Sequence, residues 1–304
     1  MNRFRRRRAF TLVEILLSVI ILGLVMAAIL PLFFSVLSSY EFHQDIAWAK
    51  QRGQIAVASI QPMALAAGLG MPNRTSDLQK AFIGLDAVVP SDETKRFRQT
   101  VQLASGDVVV PNNATEGSEL WLLYSVPSGC GVNFERHVPE NGTVTLRRSD
   151  KEIENIDALD GSVQVGKGAF AGWLAFPGSL SPLSVSGIDT GAGVLSLASE
   201  LDTTIRAFDE AHYVRGAKIG VRNGRLEVNR LDRTGDQPVV EGIYGMRCTY
   251  DPEGDRVLTV RILARGIVRR DGILTSDVDG WGDIGALDRH YRYAVVSKSW
   301  RVRN

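Results

Sequence analysis

Residues 15–37, ILLSVIILGLVMAAILPLFFSVL, run 23 positions without a charged side chain. As a helix this run measures about 34 Å, enough to cross a bilayer core of about 30 Å. Whatever the rest of the chain does, it is built onto one oily helix. The flanks orient that helix. Arg3, Arg5, Arg6, Arg7 and Arg8 precede it, and Glu41 and Asp45 follow. Basic residues stay on the cytoplasmic side, which predicts residues 1–9 in the cytoplasm and everything after residue 40 across the inner membrane.

Composition adds one point. Charged residues make up 23% of the 304 and apolar ones 44%, as in a folded protein. Removing the five leading arginines from the 35 basic residues leaves 30 against 34 acidic ones. The basic character is local to one end, so the body of the chain offers no support for nucleic-acid binding.

A secretory signal has a shorter apolar region and a small-x-small cleavage site, which this run lacks. Arg7-Arg8-Ala9-Phe10 looks like the opening of a twin-arginine signal, but Glu14 and the length of the oily run fit that poorly. The remaining outcome is cleavage before the span, leaving the helix attached.

For that outcome the sequence AFTLVEILLSVIILGL is informative. It closely resembles the N-terminal signature of type IV prepilins and type II secretion pseudopilins. The resemblance implies cleavage between Ala9 and Phe10 by a prepilin peptidase, followed by methylation of Phe10. Glu14 matches the family's glutamate, and Pro31 its helix-softening proline. Ala9 departs from the pattern, which has glycine before the cut.

Physical chemistry gives Glu14 a reason. A carboxylate in a transmembrane helix is costly unless it snorkels or is paired. After cleavage, the Phe10 ammonium is the nearest cation that can follow this helix into a bundle. Residues 10 and 14 share a face one turn apart. In a stack of helices with axial rise, Glu14 of one chain meets the Phe10 amine of another, and low-dielectric surroundings make that contact strong. The bland alternative is a lone Glu14 snorkelling at the interface.

The helical pattern continues beyond the span. Phe42, Ile46, Ala49, Gly53, Ala56 and Ile60 form an apolar stripe, with Glu41, Asp45, Lys50 and Arg52 on the other faces. Pro31 predicts a kink or a locally melted stretch, and Pro62 predicts a stop. The long helix thus covers residues 10–62. Gly23 permits close helix approach or is an incidental small residue in an oily helix.

Residues 63–304 read as a β-rich extracytoplasmic head. Residues 64–76 read as a connector, and 101–110, 118–126 (ending before Pro127) and 143–148 as strands. KIGVRNGRLEVNRL carries Asn223-Gly224, the type I′ hairpin signal. Residues 243–251 and 256–265 make a second hairpin, and YRYAVVSKSWRVRN a last strand. Residues 151–160 read as a turn or short helix, 197–213 as a strand running into a short helix, and 177–193 as a loop-rich insertion. The fold class is α+β: a long N-terminal helix packed on an antiparallel head.

The order of the C-terminal half, ending in Arg303-Asn304, resembles PilW-type minor pilins and the related GspJ-type pseudopilins. That resemblance implies a minor pilin working with other minor and major pilins, an inner-membrane assembly platform and membrane lipid. A minor pseudopilin of a type II secretion system and a filament-tip adhesin are the alternatives.

Three candidate sites remain. Cys130 and Cys248, 118 residues apart, are either one disulfide or two separate buried thiols. DVDGWGDIGALD places Asp277, Asp279, Asp283 and Asp288 at positions 1, 3, 7 and 12 of a calcium-loop spacing, with Trp281 where an oxygen ligand is wanted. Ser125 and Ser128, beside Pro127, have no nucleophile motif around them and read as strand-end and turn residues. No phosphate loop, zinc spacing or nucleophile elbow occurs, so the expectation is a protein that is not an enzyme and needs no cofactor.

Overall fold

The computed structural model describes residues 11–72, 75–82, 97, 99–104, 108–109, 115–134, 136–138, 142–147, 154–160, 170–198, 203–231, 235–252, 254–272, 274, 277–278, 281–283 and 289–303. Ala9 and Phe10 lie outside the described residues.

The first helix, α1, spans Leu12–Leu65, 54 residues. It begins where Thr11 turns extended and caps it. The Thr11 hydroxyl accepts the Glu14 amide while the Glu14 carboxylate reaches back to the Thr11 amide, satisfying two otherwise orphaned donors. Residues 11–44 are exposed throughout. From there one stripe turns inward, burying Asp45, Ala49, Gly53, Ala56, Val57, Ile60, Met63 and Ala64.

Two expectations need correcting along α1. At Pro31, where a kink or a melted stretch was the expectation, helical structure runs unbroken, which speaks to the melting and not to the kink. Pro62 does not stop the helix, which continues to Leu65. Proline lacks a donor but keeps its acceptor, and the Pro62 carbonyl accepts the Ala66 amide at 3.2 Å, so the ladder carries on beyond it. The buried face also includes Asp45, expected on a solvated face, whereas Phe42 is 40% exposed.

The connector after α1 docks tightly. Ala67 bridges to Tyr124, and the Gly68 amide donates to Leu123. A second helix, α2, then occupies Thr75–Ala81.

Two antiparallel sheets form most of the described head. The larger runs Val101–Ala104, Glu119–Gly131, Glu210–Arg222, Trp173–Phe176, Ser181–Asp189, Val194–Leu197, Thr143–Thr145; Arg225–Arg230 and Gln237–Glu241 extend it from Glu210–Arg222. The smaller runs Tyr293–Arg301, Val257–Arg265, Ile243–Tyr250, Thr115–Gly117, Val108–Val109. Both expected hairpins are present. Arg222 pairs with Arg225 across Asn223 and Gly224, whose positive φ of 51° and 73° is what a type I′ turn requires. Tyr250 pairs with Leu258 in the second.

Other readings shift. The stretch 101–110 splits between the two sheets. The strand expected to end before Pro127 continues to Gly131, because the ladder skips Ser128 and Gly129 opposite Ala211 and His212, and that irregularity absorbs the missing donor. Residues 154–160 are helical. The short helix expected at the end of 197–213 is absent: Thr203–Ile205 and Glu210 onward are strand. The soft loop of 177–193 contains a nine-residue strand, Ser181–Asp189, paired on both sides. Its serines and glycine hid a β pattern that only its neighbours supply.

The core has three parts. The buried stripe of α1 packs with Leu120, Leu122 and Ile219 of the larger sheet and Met246, Val260 and Trp300 of the smaller. A second cluster gathers around Phe176, Leu183 and Leu195. The third is aromatic, with Phe82, Phe97, Trp121 and Phe170 in edge contact. Cys248 belongs to the first cluster and Cys130 to the second, and they form no disulfide.

Candidate assembly site

Two places on α1 carry polar chemistry that a plain anchor would not need. At its start, Glu14 Oε2 accepts the Thr11 amide at 2.9 Å and the Thr11 hydroxyl at 3.0 Å. The capping box therefore occupies one carboxylate oxygen and orients the group. Among the described residues, the bonds to the carboxylate fall on this one oxygen. Thr11 was a missed residue, although Thr-x-x-Glu before an apolar run is the sequence signature of this cap. The Ser18 hydroxyl turns back to the Glu14 carbonyl at 2.7 Å, so it too is satisfied within the helix.

The second place is the neck, where α1 enters the head. Segment 265–270 runs alongside the helix. Arg52 donates to the Arg265 carbonyl at 3.3 Å. Asp45 Oδ1 accepts the Ile267 amide at 2.7 Å and the Val268 amide at 3.3 Å. Glu41 pairs with Arg270 at 2.8 Å, and the Arg292 guanidinium sits 4.0 Å from the Phe42 ring centroid. Side chains from three turns of α1 thus grip one strand-loop segment, which holds the exposed half of the helix at a set angle to the head. The fit is close: a Cβ at Gly266 would collide with the Asp45 carboxylate. Sequence spacing could not reveal Asp45, because its partners are backbone amides more than 220 residues away.

The other candidates sort differently. Asp279 and Asp288 lie outside the described residues. Asp277 and Asp283 are register partners in the backbone ladder of a short hairpin, Asp277–Val278 with Gly282–Asp283, whose turn includes Trp281, 8% exposed. Trp281 stacks with Arg247, and its carbonyl accepts the Arg247 guanidinium at 2.8 Å. The residue that spoils the calcium spacing is thus a packing residue.

Ser125 is not a strand-end residue. It is 1% exposed in mid-strand, with its Oγ 3.2 Å from His212 Nδ1 on the neighbouring strand. Burial lowers the His212 pKa below 6.5, opposed by the charges of Glu210 and Asp209. Burial likewise raises Tyr250 above 10.0.

The sequence at the head of α1 has a counterpart among known proteins. Residues 4–30 match the prokaryotic N-terminal methylation motif. No curated protein and no solved structure matches the chain. The motif supports a pilin-type protein acting in pilus or pseudopilus assembly, processed by a prepilin peptidase and associated with other pilins. The exposed apolar length of α1 fits a single-pass membrane anchor.

Proposed function

We propose that this pilin-type chain is a PilW-like minor pilin of a type IV pilus. Cleavage after Ala9 exposes the Phe10 amine, which is then methylated. Until assembly, α1 rests in the inner membrane with its leader cytoplasmic and its head periplasmic. On assembly, Glu14 accepts the amine of a neighbouring subunit, and the head joins other minor subunits in a complex on which major pilins are added. An inner-membrane platform supplies the work.

One observation carries this reading. Residues 11–44 are exposed on every face, and Glu14 stands at their head with one oxygen held by the cap. Among the described residues the head touches this length only near its end, at Glu41 and Phe42, so a lipid or helical-bundle setting suits the apolar run. The test is Glu14→Ala in a strain lacking the native copy. Membrane insertion should persist while incorporation into filaments falls at least tenfold; full incorporation would overturn the mechanism. Mass spectrometry of the mature chain should find N-methylated Phe10. A chain retaining its arginine leader would contradict the cleavage.

The same physics serves a type II secretion pseudopilus, so incorporation should be scored for both filaments. A third reading, a head that also binds at a filament tip, has one observation in its favour. Phe134 and Phe208 are 79% and 78% exposed on adjoining loops, joined by the bond from the Phe208 amide to the Val132 carbonyl.

A further inference from the structure

Where α1 passes the hairpin turn at Asn223 and Gly224, a cavity of about 250 Å³ opens to solvent. Its lining includes Arg52, Asn223, Arg225, Glu241, Arg265 and Tyr291, three guanidiniums against one carboxylate. Arg225 pairs with Glu241 at 2.8 Å, and both side chains stand at the open rim, 50% and 69% exposed. Arg265 lies over the Tyr291 ring, 4.7 Å from its centroid. Arg52 is different. Among the described residues it has no carboxylate partner, and its one hydrogen bond runs from Nη1 to the Arg265 carbonyl at 3.3 Å.

That guanidinium has a built seat. It leaves α1 half-buried and packs against Gly242, whose φ is 78° and where a Cβ would collide with it. The Gly242 and Ile243 amides both donate to the Gly224 carbonyl, at 2.8 and 3.1 Å, which fixes the glycine beside the turn. A guanidinium carries five donors, so one long bond leaves most of them to the cavity and its water. Glu241 offsets one of the three positive charges of the lining, and the potential there stays positive.

We propose that this cavity binds a carboxylate, gripped by the Arg52 fork while Arg225 and Arg265 supply the surrounding field. A planar guanidinium matches a carboxylate through two parallel bonds. Glu241 at the rim disfavours a dianion such as a phosphate monoester. Phospholipid headgroups are out of reach. Arg52 lies 15 residues beyond Leu37, where the apolar run ends, about 22 Å along the helix axis. Headgroups extend only about 5–8 Å past the hydrocarbon. The carboxylate is a small acid in solution or the side chain of a neighbouring subunit's aspartate or glutamate, which offers the same group.

The test uses the full-length protein in detergent, with sodium propionate as the probe and sodium chloride at equal ionic strength as the control. At about four times its half-saturating concentration, propionate should raise the melting temperature by about 2 °C over chloride, and Arg52→Gln should abolish the rise. Phenylglyoxal modification, mapped by mass spectrometry, follows Arg52 in the wild-type chain and needs no variant. Propionate at that concentration should slow it about fivefold. The same reagent separates the two sources in assembled filaments: a subunit's acidic side chain protects Arg52 with no acid added, a small acid only when propionate is present. An Arg52 modified equally fast with and without propionate, in detergent and in filaments alike, overturns the site. So does a rise in melting temperature that Arg52→Gln leaves intact. Neither outcome bears on the Glu14 contact, which incorporation into filaments scores.

Discussion

At the scale of single residues, three polar side chains depart from a simple inside–outside pattern, and each does so for a different reason. Glu14 is exposed but tied into a cap, Asp45 is buried against backbone amides, and His212 is buried beside Ser125. Burial holds the His212 pKa below 6.5, so the unfolded chain takes up a proton near pH 6.5 while the folded chain resists until lower pH. This histidine therefore leaves stability unchanged well above pH 6.5 and lowers it as pH falls through that value toward its folded pKa. Melting of the detergent-solubilised protein at pH 7.5 and 5.5 should show this, and His212→Asn should shrink the difference. An undiminished difference would assign the pH dependence to other groups. Glu14 was legible in the sequence because a charge at the head of an oily run is anomalous on its face. Asp45 was not, because a carboxylate beside Glu41 on an amphipathic helix is ordinary until its distant partners are known.

Elements were legible in proportion to how far their pattern is local. The α1 helix follows from an uninterrupted apolar run and a three-to-four spacing, and the 223–224 turn from two residues that accept positive φ. Ser181–Asp189 is the opposite case, since its partners on both sides decide that it is a strand. Gly53 shows how an element's seat is decided by contact. A Cβ there would approach Val296 Cγ2 at 2.6 Å, so the helix lies against Tyr293–Arg301 only because position 53 has no side chain. Gly53→Val should destabilise the head by about 1–3 kcal/mol through overpacking. A urea titration of the full chain in detergent, read by tryptophan fluorescence, measures this, and an unchanged midpoint would mean the helix can shift without cost. Gly53→Ser, smaller, should cost less.

At the scale of the whole molecule, the cysteines test how the head is divided. Cys130 and Cys248 sit in different apolar clusters, both 0% exposed. Thiol titration should find neither reactive in the native protein and two per chain after denaturation without reductant. A melting temperature that falls on adding reductant would indicate a bond between them and require those clusters to rearrange. Sequence alone determined the oily helix, the basic run before it and the glutamate at its head, because each depends on residues within a few turns of one another. The angle at which the head rides on that helix, the burial of Asp45 and the separation of the two thiols were decided by tertiary structure. The amides, sheets and cores that set them come together only when segments hundreds of residues apart are packed, and no local pattern encodes that meeting.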